Sequence, residues 1–153
     1  MEKEEHEFYL KVARSLAGCQ LVEQELKLYI TEALLFAKKC VGGRMPFEMS
    51  GEDYADAALA TLIKVFGRFN DNAALKKALN DFKVERDFLS HKAITDCIDP
   101  EGDLCVPESP ELRARLEGIQ KEAERLTNAI HEEANKWSAH LYFDVIEDED
   151  GAK

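Results

Sequence analysis

The stretch Lys83-Val84-Glu85-Arg86-Asp87-Phe88-Leu89-Ser90-His91-Lys92-Ala93-Ile94 decides how the chain folds and where its chemistry is sought. Alternating steps of four and three lead through Leu75, Leu79, Phe82, Arg86, Leu89 and Ala93, one stripe of a helix. Every member is apolar except Arg86. A guanidinium keeps its charge, so burying it without a partner is costly, and such a break in pattern often marks function. Five residues later stands His91, and histidine as a residue type titrates near neutrality.

The stripe extends into a helix expected over residues 73–97, broken by Asp99-Pro100-Glu101-Gly102. Before it, Asn70-Asp71-Asn72 reads as a turn with Asn72 as cap. Residues 52–69 are expected as a helix with Tyr54, Ala58, Leu62, Val65, Phe66 and Phe69 inward, and Ser50 with Asp53 resembles a capping box. The first periodic segment covers residues 4–41 along Phe8, Val12, Ser15, Cys19, Val22, Leu26, Tyr29, Ala33, Phe36 and Cys40. Its register passes unbroken through Gly18, which predicts one long helix, ended by Gly42-Gly43. Leu21, Leu28 and Leu35 are expected to widen its apolar face, and Met45, Phe47 and Met49 to fold back over its end.

Ser109-Pro110 is a helix start, and the last helix keeps register from Leu112 through Leu116, Ile119, Ala123, Leu126, Ile130, Ala134, Trp137 and Leu141, ending near Asp144. No strand-like alternation survives. The class expected is all-α, an up-down four-helix bundle with long first and last helices. One domain is expected over residues 1–146, followed by an acidic, solvated and mobile tail at 147–153.

With 45% hydrophobic and 33% charged residues, 153 residues suffice for a packed core. No apolar run approaches the roughly 20 residues that cross a bilayer, so no membrane partner is expected. The acidic start Met1-Glu2-Lys3-Glu4-Glu5-His6-Glu7 is unlike a signal peptide, which points to the cytoplasm. Cys19, Cys40, Cys97 and Cys105 show no C-x-x-C spacing and are expected reduced; Cys97 and Cys105 flank a loop and are the two that could pair. A net charge of −11 argues against a broad nucleic-acid surface, though not against a small site acting on RNA.

At about 100° per residue Arg86 and His91 lie roughly 140° apart, whereas Asp87 and His91 stand at i and i+4, where a carboxylate can orient an imidazole. Asn80 falls on the same side, interleaved with Val84, Phe88 and Ile94, a mixture suited to a cleft or subunit interface. An imidazole transfers protons and a guanidinium holds phosphate oxygens bidentately, which together serve metal-free cleavage of RNA by its own 2′-hydroxyl. So thin a site calls for two subunits.

The spacing Arg-x4-His in the penultimate helix of a small all-α domain resembles the HEPN superfamily. The residues carrying it are Arg86, the polar Asp87 after it, and His91, within Phe82…Arg86-Asp87-Phe88-Leu89-Ser90-His91. The resemblance implies a metal-independent endoribonuclease, a toxin or defence protein with an antitoxin or other protein partner, working as a homodimer with both motifs at a shared cleft. Arg86, Asp87 and His91 are its expected catalytic residues. The family also has non-catalytic members, so the alternative is a helical interaction module. The plainer account of Arg86 is a helix-edge cation paired with an acid, and of His91 a capped surface or core histidine. Elsewhere Trp137 is expected in the core, and His131 and His140 exposed or interfacial. Glu-x-x-His pairs, a P-loop, a dinucleotide turn and a nucleophile elbow are all lacking, so no metal or cofactor is expected.

Overall fold

The computed structural model describes residues 2–103, 105 and 109–150, and the side chains of residues 3–141 within them. Among the described residues the chain forms four α-helices and no strand: α1 (Glu2–Val41), α2 (Leu59–Phe69), α3 (Ala73–His91) and α4 (Pro110–Asp150). This is the expected all-α class with long first and last helices. None of these helices is long and apolar enough to cross a membrane. Contacts divide the chain into two compact units, Met1–Val22 with Ala74–Thr127, and Glu23–Ala73 with Asn128–Lys153.

The first unit packs the start of α1, all of α3 beyond its first residue, and the start of α4. Its α1 and α4 run the same way: Lys11 Nζ meets Glu117 Oε1 at 2.7 Å, and further along Gly18 approaches Ala123. A Cβ on Gly18 would lie 2.9 Å from that of Ala123, so glycine is what permits this crossing despite its cost in a helix. Ser15, fully buried, is satisfied by donating to the carbonyls of Lys11 (2.9 Å) and Leu116 (3.1 Å). Helix α3 lies beside α4, with Glu85 bonded to Arg115 and a shared groove lined by both helices. Phe8, Val12, Leu79, Phe82, Leu89, Leu116 and Ile119 form the core, each contributing roughly 1.5–3 kcal/mol by burial.

The second unit packs the rest of α1, α2 and the rest of α4. Leu26, Tyr29, Ile30, Leu62, Phe66 and Ile130 are its buried centre. Tyr29 meets Phe66 edge-on at 4.7 Å between ring centroids and Trp137 at 5.4 Å. Trp137 is only partly buried, and its indole N–H donates to Tyr29 Oη at 3.3 Å.

Several expected details differ. Residues 52–69 are not one helix: Asp53 accepts the Ser50 N–H (3.1 Å) over a single 3-10 turn, Gly51–Tyr54, and α2 begins only at Leu59. Lys27 Nζ takes the Ala55 carbonyl at 2.7 Å, and Ala58 is extended (ψ 157°), so the helical ladder does not pass through. Phe69, expected inward, is 38% exposed; Leu59 and Ile63 are buried with Leu62, Val65 and Phe66. Helix α3 stops at His91 instead of residue 97. The Ala93 N–H reaches back five residues to Phe88, and Thr95 Oγ1 binds the His91 carbonyl at 2.8 Å, leaving a 3-10 turn at Thr95–Cys97.

Leu21, Leu28 and Leu35 do not widen the buried face; they are 55–58% exposed, and Ile30 and Leu34, on the opposite side of the seam, are buried instead. Met45 and Met49 are likewise exposed. Asn72 Nδ2 donates to Glu133 Oε1 at 2.7 Å. Helix α4 continues through Glu147 to Asp150, past the end expected near Asp144, because no glycine or proline intervenes before Gly151. The tail residues 151–153 lie outside the described residues.

Candidate functional site

Arg86, Asp87 and His91 all lie on α3, in the first unit. Leu75, Leu79, Phe82, Leu89 and Ala93 are buried, so the stripe that Arg86 interrupts is real. Arg86 sits at its edge with 33% of its side chain exposed, and its Nη1 is 3.7 Å from Asp87 Oδ1. That distance is an ion pair without a hydrogen bond. Asp87 is 55% exposed and His91 is exposed as the last residue of the helix. Among the described residues no hydrogen bond joins Asp87 to His91; the backbone carbonyl of His91 is held by Thr95. Around them Val84 (59%) and Ile94 (42%) are exposed, and Asn80 donates to the Lys76 carbonyl at 2.9 Å. The helix thus presents a charge at the core's edge, then a carboxylate and an imidazole on its outward side.

The neighbouring groove lies elsewhere. A space of about 450 Å³ between α3 and α4 is lined by Asp81, Phe82, Glu85, Arg115, Ile119 and Glu122 among others, and by none of the three motif residues. Here the structure brings in Arg115, which the sequence did not single out. Its Nε and Nη2 bind Glu85 at 2.8 and 3.2 Å, and its guanidinium lies 3.6 Å above the Phe88 ring. The fork and the stack together fix Arg115 to α3, and at this exposure the ion pair contributes about 1 kcal/mol or less. Glu85 and Phe88 do stand at i and i+3, but nothing in helical spacing says which residue of another helix meets them.

The second unit holds a buried carboxylate that the sequence also left unmarked. Glu133, 7% exposed, accepts from Asn70 Nδ2 (3.0 Å), Asn72 Nδ2 (2.7 Å) and Lys136 Nζ (2.8 Å). Asn70 also donates to Tyr29 Oη at 3.2 Å, and its Oδ1 accepts the Asn72 N–H at 2.8 Å. Burial pushes the Glu133 carboxyl up, but hydrogen bonds from Lys136, Asn72 and Asn70 with the Lys136 charge outweigh it, leaving the pKa lowered. Every partner is a fixed protein group, so the arrangement ties the 70–72 turn to α4 and serves structure. One signal was available: Glu133 stands three residues after Ile130 and four before Trp137, a charge on an apolar stripe, as Arg86 is.

His131 is exposed, 3.9 Å from Glu25, and His140 is exposed. No group of three or more His, Cys, Asp or Glu side chains able to hold a metal ion occurs among the described residues. All four cysteines are free thiols. No protein-family model, curated protein or solved structure matches the chain.

Proposed function

We propose that this chain is a HEPN-like endoribonuclease that needs no metal and acts as a homodimer through Arg86, Asp87 and His91. The observation that carries this reading is the setting of Arg86. It breaks the apolar stripe of α3 yet keeps a third of its side chain in solvent, five residues before the exposed His91. In the proposed reaction Arg86 donates two N–H bonds to the non-bridging oxygens of an RNA phosphate. His91 takes the proton of the 2′-hydroxyl as that oxygen attacks phosphorus, and the second copy's motif supplies the proton to the departing 5′-oxygen. Asp87, at i−4, orients the imidazole once substrate draws Arg86 away. The outward face with Val84 and Ile94 is where the two copies meet. A toxin or defence role with an antitoxin partner belongs to the same proposal.

The test is cleavage of single-stranded RNA by the purified full chain in a chelating buffer. His91→Ala and Arg86→Ala are expected to lower the rate about 10²-fold or more each, with helicity and sedimentation unchanged. Wild-type protein that cuts no RNA, or variants that cut as fast as wild type, sinks the catalytic reading.

A second reading, a non-catalytic helical interaction module, draws on two observations. Asp87 engages Arg86 and not His91. In the second unit, Leu35 (55%) and Met49 (51%) are exposed on a groove of about 570 Å³. A monomer without ribonuclease activity favours this reading.

A further inference from the structure

The loop after α3 holds a two-cysteine arrangement set by its turn. Asp99 N donates to the Asp103 carbonyl (2.9 Å) and Gly102 N to the Asp99 carbonyl (3.0 Å). Asp99 Oδ1 accepts the N–H groups of Glu101 (3.0 Å) and Asp103 (2.8 Å). With Pro100 entering and Gly102 at φ 89°, this is a three-residue hairpin turn whose last position requires left-handed backbone. Two residues outward on each side, Cys105 N donates to the Cys97 carbonyl at 2.6 Å.

Bonds at 99/103 and 97/105 fix an antiparallel register in which Cys97 and Cys105 stand opposite one another, side chains on the same face. The α-carbons of such a pair lie about 5.5 Å apart, within the range that a disulfide spans. Cys97 is buried and Cys105 exposed. The inward thiol is therefore within reach of one that solvent-borne reagents can attack.

We propose that Cys97 and Cys105 are a reversible modification site, closing to an intrachain disulfide by exchange with a small-molecule disulfide such as oxidised glutathione. The Cys105 thiolate attacks one sulfur of the reagent and expels one thiolate, leaving a mixed disulfide on Cys105. The Cys97 thiolate then attacks Cys105 Sγ and expels the second. The two protein thiols are oxidised and the reagent is reduced to two thiols, its expelled thiolates taking up the two protons that the cysteines gave up. The proposal is independent of what α3 does to RNA.

The surroundings set the rate. For Cys97, burial first and then the Asp96 charge and Cys105 raise the thiol pKa; for Cys105, the hydrogen bond to Asp99 first, then burial and the charges of Asp99, Asp103 and Glu5 raise it. Tyr9 shares this cluster, its own pKa raised by burial and then by Cys97, Glu5 and Cys105. Exchange is accordingly slow at neutral pH and quickens about tenfold per pH unit while the attacking thiol stays below its pKa.

The full chain is incubated with oxidised glutathione in mildly alkaline buffer, its remaining thiols are alkylated, and it is digested with trypsin. Cleavage after Lys92 and Arg113 leaves both cysteines in one peptide. The expected product is that peptide unalkylated and about 2 Da lighter, the two hydrogens having been lost. It is to persist in Cys40→Ser, vanish in the folded, exposed-site variant Cys105→Ser, and revert under reductant. A glutathione adduct left on Cys105 with Cys97 still alkylated, a link between two chains, or no oxidation of either residue overturns the proposal.

Discussion

Two helices of this protein each interrupt an apolar stripe with a charge, and they do opposite things with it. On α4, Glu133 is 7% exposed and held by Asn70, Asn72 and Lys136. On α3, Arg86 keeps 33% of its side chain in solvent and meets Asp87 at 3.7 Å, too long for a hydrogen bond. A buried charge must be fully bonded, because desolvation otherwise exceeds what attraction returns. A charge at the edge keeps part of its hydration and remains reachable. The difference teaches that a broken pattern marks either a polar knot or an accessible site, and only burial tells which.

The comparison breaks most sharply if the same substitution is made at both positions. Glu133→Leu leaves the amides of Asn70 and Asn72 unanswered and is expected to cost about 2–4 kcal/mol, read as a fall in the urea midpoint. Arg86→Leu completes the α3 stripe and is expected to change stability by less than about 1 kcal/mol in either direction. Equal losses at the two sites would make Arg86 a structural residue like Glu133. Asn72→Ala, which removes one of the three donors, is expected to cost about 1 kcal/mol.

Acid sharpens the same contrast. The Glu133 carboxyl is depressed from its ordinary 4.5, so the folded state binds its proton less readily than the unfolded chain. Its stabilisation is therefore complete above the unfolded value and is lost as pH falls through the folded one. The Tm advantage of wild type over Glu133→Gln is expected to shrink along that descent; a constant gap would remove the carboxylate's charge from the account. The smallest effect on stability is expected for His91→Ala, within about 0.5 kcal/mol by thermal denaturation, since the side chain is exposed. The same variant is expected to lower the rate of RNA cleavage about 10²-fold or more.

Much of this was legible in the chain. The unbroken α1 register through Gly18, the Ser109-Pro110 start, whose Ser109 Oγ accepts the Leu112 N–H at 3.3 Å, and the Gly42-Gly43 stop all follow from local chemistry. The stripe through Leu75, Leu79, Phe82 and Leu89 was equally plain, and with it the position of Arg86. Boundaries were less so. The start of α2 is decided by Lys27, a residue of α1, and the end of α3 by Thr95 reaching back to His91. Leu28 and Leu35 show the limit of periodicity: it finds a helix's apolar residues without saying which of them a neighbour covers.

The sequence by itself determined the class, the helices and the place of Arg86 on the α3 stripe, because helix formation and amphipathic spacing act over a few residues. Only tertiary structure decided that Arg115 is clamped between Glu85 and Phe88, that Glu133 is bonded to Asn70 and Asn72, and that Asp87 faces Arg86 more closely than His91. Apart from that last pair of neighbours, these contacts join α4 to α3 or to the 70–72 turn, whose approach depends on packing shape. Burial, which separates Glu133 from Arg86, is a property of what lies across the interface and not of the residue itself.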